Sequence, residues 1–128
     1  MFFGNFTSKS DVCNSFGIDN FKGTIIYAVY DNENYSGEAT VIFVENGKFY
    51  HVHASHCSCY GLEGNGESLW IPEEMPIKVL MRMVQEGNGA VMHQHRDALA
   101  KALEIVSDLD LENASEDVVT VTAHLAFG

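Results

Sequence analysis

Residues His51, Val52, His53, Ala54, Ser55, His56, Cys57, Ser58 and Cys59 hold three of the chain's six histidines and two of its three cysteines. Imidazole and thiolate bind soft metals, attack electrophiles and move protons near neutral pH, so such a cluster asks for a chemical reading. A zinc site would take Cys57 and Cys59 with one or two of His51, His53 and His56, the set singled out being His53, His56, Cys57 and Cys59. Structural zinc ligands are usually paired about two to four residues apart, with a second pair from a distant segment. Here one residue separates the thiols, and the second pair would have to come from Cys13, His93 and His95, or His124. A nucleophilic reading would make Cys57 or Cys59 the thiolate, a nearby histidine its base and Glu63 the orienting group. The ordinary reading makes both cysteines small buried residues at a strand-to-loop junction, with His56 and Ser58 serving local backbone groups. That reading is preferred, because nothing in the sequence shows the distant segments converging.

Two further segments invite the same comparison. His93-Gln94-His95-Arg96 has its imidazoles one residue apart, a spacing for an extended ligand pair, yet it stands where a helix is expected to begin and reads as a polar helix entrance. The glycine-rich stretch from Gly61 to Gly66 lacks the lysine and the strand-to-helix setting of a phosphate cradle, so it reads as a turn-rich loop.

The elements that must carry these residues follow from pattern. Gly23 to Tyr30, Gly37 to Glu45 and Lys48 to Ala54 read as strands of β-branched and aromatic residues, and Asn46-Gly47 is a type I′ hairpin signal between the last two. On the third strand, Phe49, His51 and His53 share one face, and Tyr50, Val52 and Ala54 share the other. Ile77, Leu80, Met81 and Val84 fall at helical spacing behind Pro76, with Gly87 placed to end that helix. A second amphipathic helix is expected from Gln94 to Leu109 on the stripe Leu99, Ala102, Leu103, Val106 and Leu109. Val118 to Phe127 alternates Val119, Val121, Ala123 and Leu125 against Thr120, Thr122 and His124, which is strand periodicity at a sheet edge.

The expectation is one α+β domain: an antiparallel β-meander, two amphipathic helices on one of its faces and a C-terminal edge strand. Residues 1–22 are expected as an irregular arm, 23–54 as the meander, 55–75 as the His/Cys- and Gly-rich loop, 76–109 as the two helices and 118–127 as the last strand. A length of 128 residues suits a single core.

Charge narrows the partners. Eighteen acids against seven bases give a net charge of −11. That field opposes direct binding to nucleic acid or to an anionic membrane, and favours a basic partner surface or serves nothing beyond solubility. The first residues lack the basic start and apolar run of a secretory signal, and no segment reads as a membrane span, so a cytoplasmic protein is expected. An odd number of cysteines, two of them one residue apart, argues for reduced thiols.

From Ala54 through His56, Cys57, Ser58, Cys59, Tyr60 and Gly61 to Glu63, followed by Trp70-Ile71-Pro72-Glu73-Glu74, the chain resembles small uncharacterised proteins encoded by bacteriophages and prophages. The hairpin from about Tyr35 to Val52 is similar too, so the resemblance covers the middle third of the chain. In this sequence Gly64 to Leu69 separate the acidic residue from the tryptophan, a wider gap than in that pattern. The resemblance implies a phage setting and brings no activity, ligand or catalytic residue. Small acidic phage proteins often act by stoichiometric binding in basic grooves of host nucleases, restriction enzymes, CRISPR effectors or polymerases, where carboxylates can stand in for phosphates. Beyond Lys101 this chain has no lysine or arginine, yet it carries Glu104, Asp108, Asp110, Glu112, Glu116 and Asp117. These six acids are therefore the expected partner-binding surface, on a host protein with a basic face, and the zinc module built on His53, His56, Cys57 and Cys59 is the alternative. An enzyme comes third, because no base, nucleophile and oxyanion donor can be named together.

Overall fold

The computed structural model describes residues 1–33, 36–56, 61–64, 68–86 and 95–127. A mixed sheet of five strands organises them in the order β1 (Phe2–Gly4), β2 (Thr24–Glu33), β3 (Ser36–Glu45), β4 (Lys48–His56) and β5 (Glu73–Glu74). Strands β2, β3 and β4 form the antiparallel meander, and β5 adds antiparallel to β4. Asn46 and Gly47 join β3 to β4 with φ of 53° and 77°, the two positive values that a type I′ turn requires. The register that follows sets Thr40 opposite His53 and Gly37 opposite His56. Strand β2 carries a bulge between Ile25 and Tyr27. Its extra residue breaks the alternation, so Ile26 and Tyr27 both join the same core cluster while Ile25 and Ala28 join the other.

Both faces of the sheet are covered. On one lie α2 (Ile77–Gln85), α3 (Arg96–Ser107) and α4 (Glu116–Phe127), which bury Leu80, Val84, Leu99, Ala102, Leu103, Val106, Val119 and Ala123 against Ile26, Val29, Ile42 and Phe49. On the other, α1 (Lys9–Phe16) and a 3₁₀ turn at Gly61–Glu63 place Val12, Phe16 and Leu62 over Ile25, Ala28, Val41 and Val52. The α+β class, the meander and the two expected helices are present. Pro76 stands at the N-cap of α2, while Gly87 and Gln94, expected at helix ends, lie outside the described residues.

Three expectations need correction. Residues 1–22 are not an irregular arm: Phe2–Gly4 pairs in parallel with Ala28–Tyr30, and Lys9–Phe16 is a helix. The Ser8 hydroxyl accepts the Asp11 N–H at the start of that helix, and Gly17 ends it in the left-handed region at φ 67°. The 55–75 segment is not wholly loop, since it contains the 3₁₀ turn and β5. Most consequentially, 118–127 is not a strand. Glu116–Phe127 is a helix whose first turn is capped by the Ser115 hydroxyl accepting the Val118 N–H. Two physical facts override the alternating pattern. The outer edge of β2 is already taken by β1, and a helix buries Val119, Ala123, Ala126 and Phe127, which recur at helical and not at strand spacing. The face that the two expected helices share thus holds three.

Candidate functional site

Strand β4 delivers the histidines, and its pleat separates them. His51 and His53 project to the face of the three helices with their rings 6.3 Å apart and nearly parallel. His51 is 9% exposed, and its Nε2 finds no hydrogen-bond partner among the described residues. Burial, and then the neighbouring His53, push its pKa down to about 4, so the imidazole is neutral at pH 7. His53 is exposed; its Nδ1 shares a 3.2 Å hydrogen bond with the Thr40 hydroxyl and its Nε2 lies 3.5 Å from the Glu38 carboxylate. His56 projects the other way, its Nε2 2.6 Å from the Tyr30 hydroxyl. Gly37 makes that approach feasible, because a Cβ there would meet His56 Nε2 at 2.7 Å and the Tyr30 ring at 2.8 Å.

This geometry bears on the zinc quartet. Cys57 and Cys59 lie outside the described residues, as does His93. Of the four proposed ligands, the two described imidazoles, His53 and His56, stand on opposite faces of the sheet and have their own partners. The remaining donors are dispersed. Cys13 sits half-buried on α1, its thiol pKa raised by burial against a smaller opposing pull from Lys9. His95 stacks on Phe3 at 3.9 Å and shares a 2.9 Å hydrogen bond with the Tyr27 hydroxyl, and His124 is exposed on α4. Among the described residues, no three His, Cys, Asp or Glu side chains are arranged to hold a metal ion. Glu63, named as an orienting group for a cysteine nucleophile, packs under the end of α1, where a Cβ on Gly17 would lie 3.2 Å from its Cγ.

The six acidic residues lie along one continuous segment, from α3 to the first turn of α4. Glu104 is on α3, Asp108 closes that helix, Asp110 and Glu112 lie in the α3–α4 loop, and Glu116 and Asp117 occupy the first turn of α4. All six are exposed. Part of this distribution is structural: carboxylates at a helix N-terminus favour the helix dipole, Asp110 accepts the Asn113 side-chain amide at 2.7 Å, and Glu116 pairs with Lys9 at 3.2 Å. Glu104, Asp108 and Glu112 have no comparable role in the described contacts.

Sequence reasoning missed what this ridge faces. The Gly47 turn approaches so closely that a Cβ there would lie 3.0 Å from Glu112 Cγ. Beside it the Met75 N–H donates to the Phe49 carbonyl at 2.9 Å, which brings Glu74 and Met75 next to the hairpin. Turn, β5 end and α3–α4 loop thereby enclose an open groove of about 400 Å³. Glu74 and Lys48 belong to it, and only the tertiary contact of loop with hairpin could have revealed them. No protein-family model matches this chain, and neither does any curated protein or solved structure.

Proposed function

We propose that this is a binding protein of phage type, acting in the host cytoplasm, whose acidic surface docks on a basic face of a host protein and blocks nucleic acid from that face. The observation carrying this reading is the exposure of Glu104, Asp108, Asp110, Glu112, Glu116 and Asp117 in a stretch without a lysine or arginine. Such a field steers association and makes it salt-dependent. The zinc alternative draws its thiolates from Cys57 and Cys59, while His53 and His56 diverge, so it has less support.

The test is association kinetics with a host protein captured on the tagged chain. Raising salt should slow association, because exposed charges are screened over about 8 Å at physiological ionic strength. The triple variant Asp108→Asn, Asp110→Asn, Glu112→Gln should slow it by about tenfold at low salt with thermal stability retained, and nucleic acid should compete. A partner indifferent both to salt and to the triple variant would overturn the proposal.

A further inference from the structure

The groove between the β3–β4 turn and the α3–α4 loop has two chemically distinct parts. Its inner wall is apolar: Phe49, Met75, Ile77, Leu109 and Leu111 line it, all of them packed on the helix-side core. Its outer wall carries three carboxylates, Glu74, Asp110 and Glu112, against the single ammonium of Lys48. That ammonium sits 3.7 Å from Glu74 with both side chains more than half exposed, a weak and replaceable pair. An apolar floor beneath a carboxylate rim matches a side chain that is itself divided, with an aliphatic stem and a cationic head. Guanidinium suits it better than ammonium, because its planar fork can engage two carboxylates and is the more weakly hydrated of the two.

We infer that this groove binds an arginine flanked by apolar residues on a protein partner, the stem and its neighbours lying on Leu109, Leu111 and Met75 and the guanidinium between Asp110, Glu112 and Glu74. The inference rests on the reading of the acidic surface as a binding face and names its anchoring point. Lys48 holds the groove in the free protein and is displaced when the arginine arrives. A second copy of this chain is a poor occupant, since two bodies of charge −11 repel.

The experiment titrates the isotope-labelled full chain with acetyl-Leu-Arg-Leu amide, following backbone amide shifts. Acetyl-Gly-Arg-Gly amide and acetyl-Leu-citrulline-Leu amide are the controls. Shifts centred on Lys48, Phe49, Met75 and Leu111, with the Leu-Arg-Leu peptide binding at least about threefold tighter than either control, are expected. Glu74→Gln with Glu112→Gln should weaken binding by about three- to tenfold, and Lys48→Gln should strengthen it. Glu74 and Glu112 are exposed, so the doubly substituted chain should keep its dispersed amide spectrum. Equal affinity for the citrulline peptide would overturn the inference, as would a dimer that occupies the groove. Shifts at Glu104, Asp108 and Asp117 in place of the groove would also overturn it, while leaving the acidic-surface reading intact. That reading fails separately, through a host partner indifferent to salt and to charge neutralisation.

Discussion

His51 is neutral in the folded protein because its ring is buried beside a second imidazole and its Nε2 has no described acceptor to share a proton with. Its folded pKa of about 4 lies below the ordinary 6.5, so the unfolded chain binds the proton more readily. Its contribution is therefore complete above about pH 6.5 and is lost as pH falls toward 4, an effect on the order of 2–3 kcal/mol. Urea unfolding from pH 7 to pH 4 should show this loss, and His51→Leu should flatten it while changing stability at pH 7 by less than about 1.5 kcal/mol, since leucine leaves no polar atom unpaired. An unchanged pH slope in His51→Leu would mean that other groups carry the acid sensitivity. His56 differs in kind, because its Nε2 meets the Tyr30 hydroxyl across Gly37.

Helix α3 is the element on which the core depends. Leu99, Ala102, Leu103 and Val106 are all fully buried, and Leu103→Ala should cost about 2–5 kcal/mol in denaturant unfolding. A change within about 0.5 kcal/mol would place that stripe on the surface. Helix α4 is held differently. Val118, Val119, Thr120, Val121 and Thr122 are all β-branched, a run that loses side-chain freedom in a helix, and the element persists because Val119 and Ala123 are buried against the sheet and α3. Val121, at 62% exposure, contributes little packing. Val121→Ala should then stabilise the protein by about 0.3–0.7 kcal/mol through helix propensity alone, measured as a rise in Tm. In an edge strand the same substitution would destabilise, so the sign of the change reports the conformation.

At the scale of the whole molecule, two covered sheet faces leave charge as the main feature of the surface. Seven bases are set against eighteen acids, and Lys9 and Lys48 are engaged with Glu116 and Glu74. Direct capture of nucleic acid is opposed by the net field, so the free protein should not retard duplex DNA or single-stranded RNA in gel-shift assays at physiological salt, even at micromolar concentration. Retardation that disappears at high salt would overturn this expectation and point to the bases carried by α2 and α3, Lys78, Arg82, Arg96 and Lys101. No described helix is long and apolar enough to cross a membrane.

The meander, the Asn46-Gly47 turn, the opposed faces of β4 and the buried stripe of α3 were legible in the sequence, because each is written in contacts between near neighbours: a turn that needs two positive φ values, a period of two, a period of 3.6. The capped helix at Lys9–Phe16 was written there too, in Ser8 and Gly17, and was obscured by phenylalanines whose partners lie on distant strands. The acidic stretch could be read as a composition, but not as one wall of a groove. Where sequence and structure part, the deciding contact is long-range. The β-branched alternation of 118–127 is compatible with a strand or a helix, and the occupied β2 edge together with the open surface of α3 chose the helix. The extension of β4 as far as His56, opposite Gly37, and the meeting of Glu112 with Gly47, were likewise settled only when the chain closed on itself, because local spacing places a side chain on a face and tertiary packing determines what that face meets.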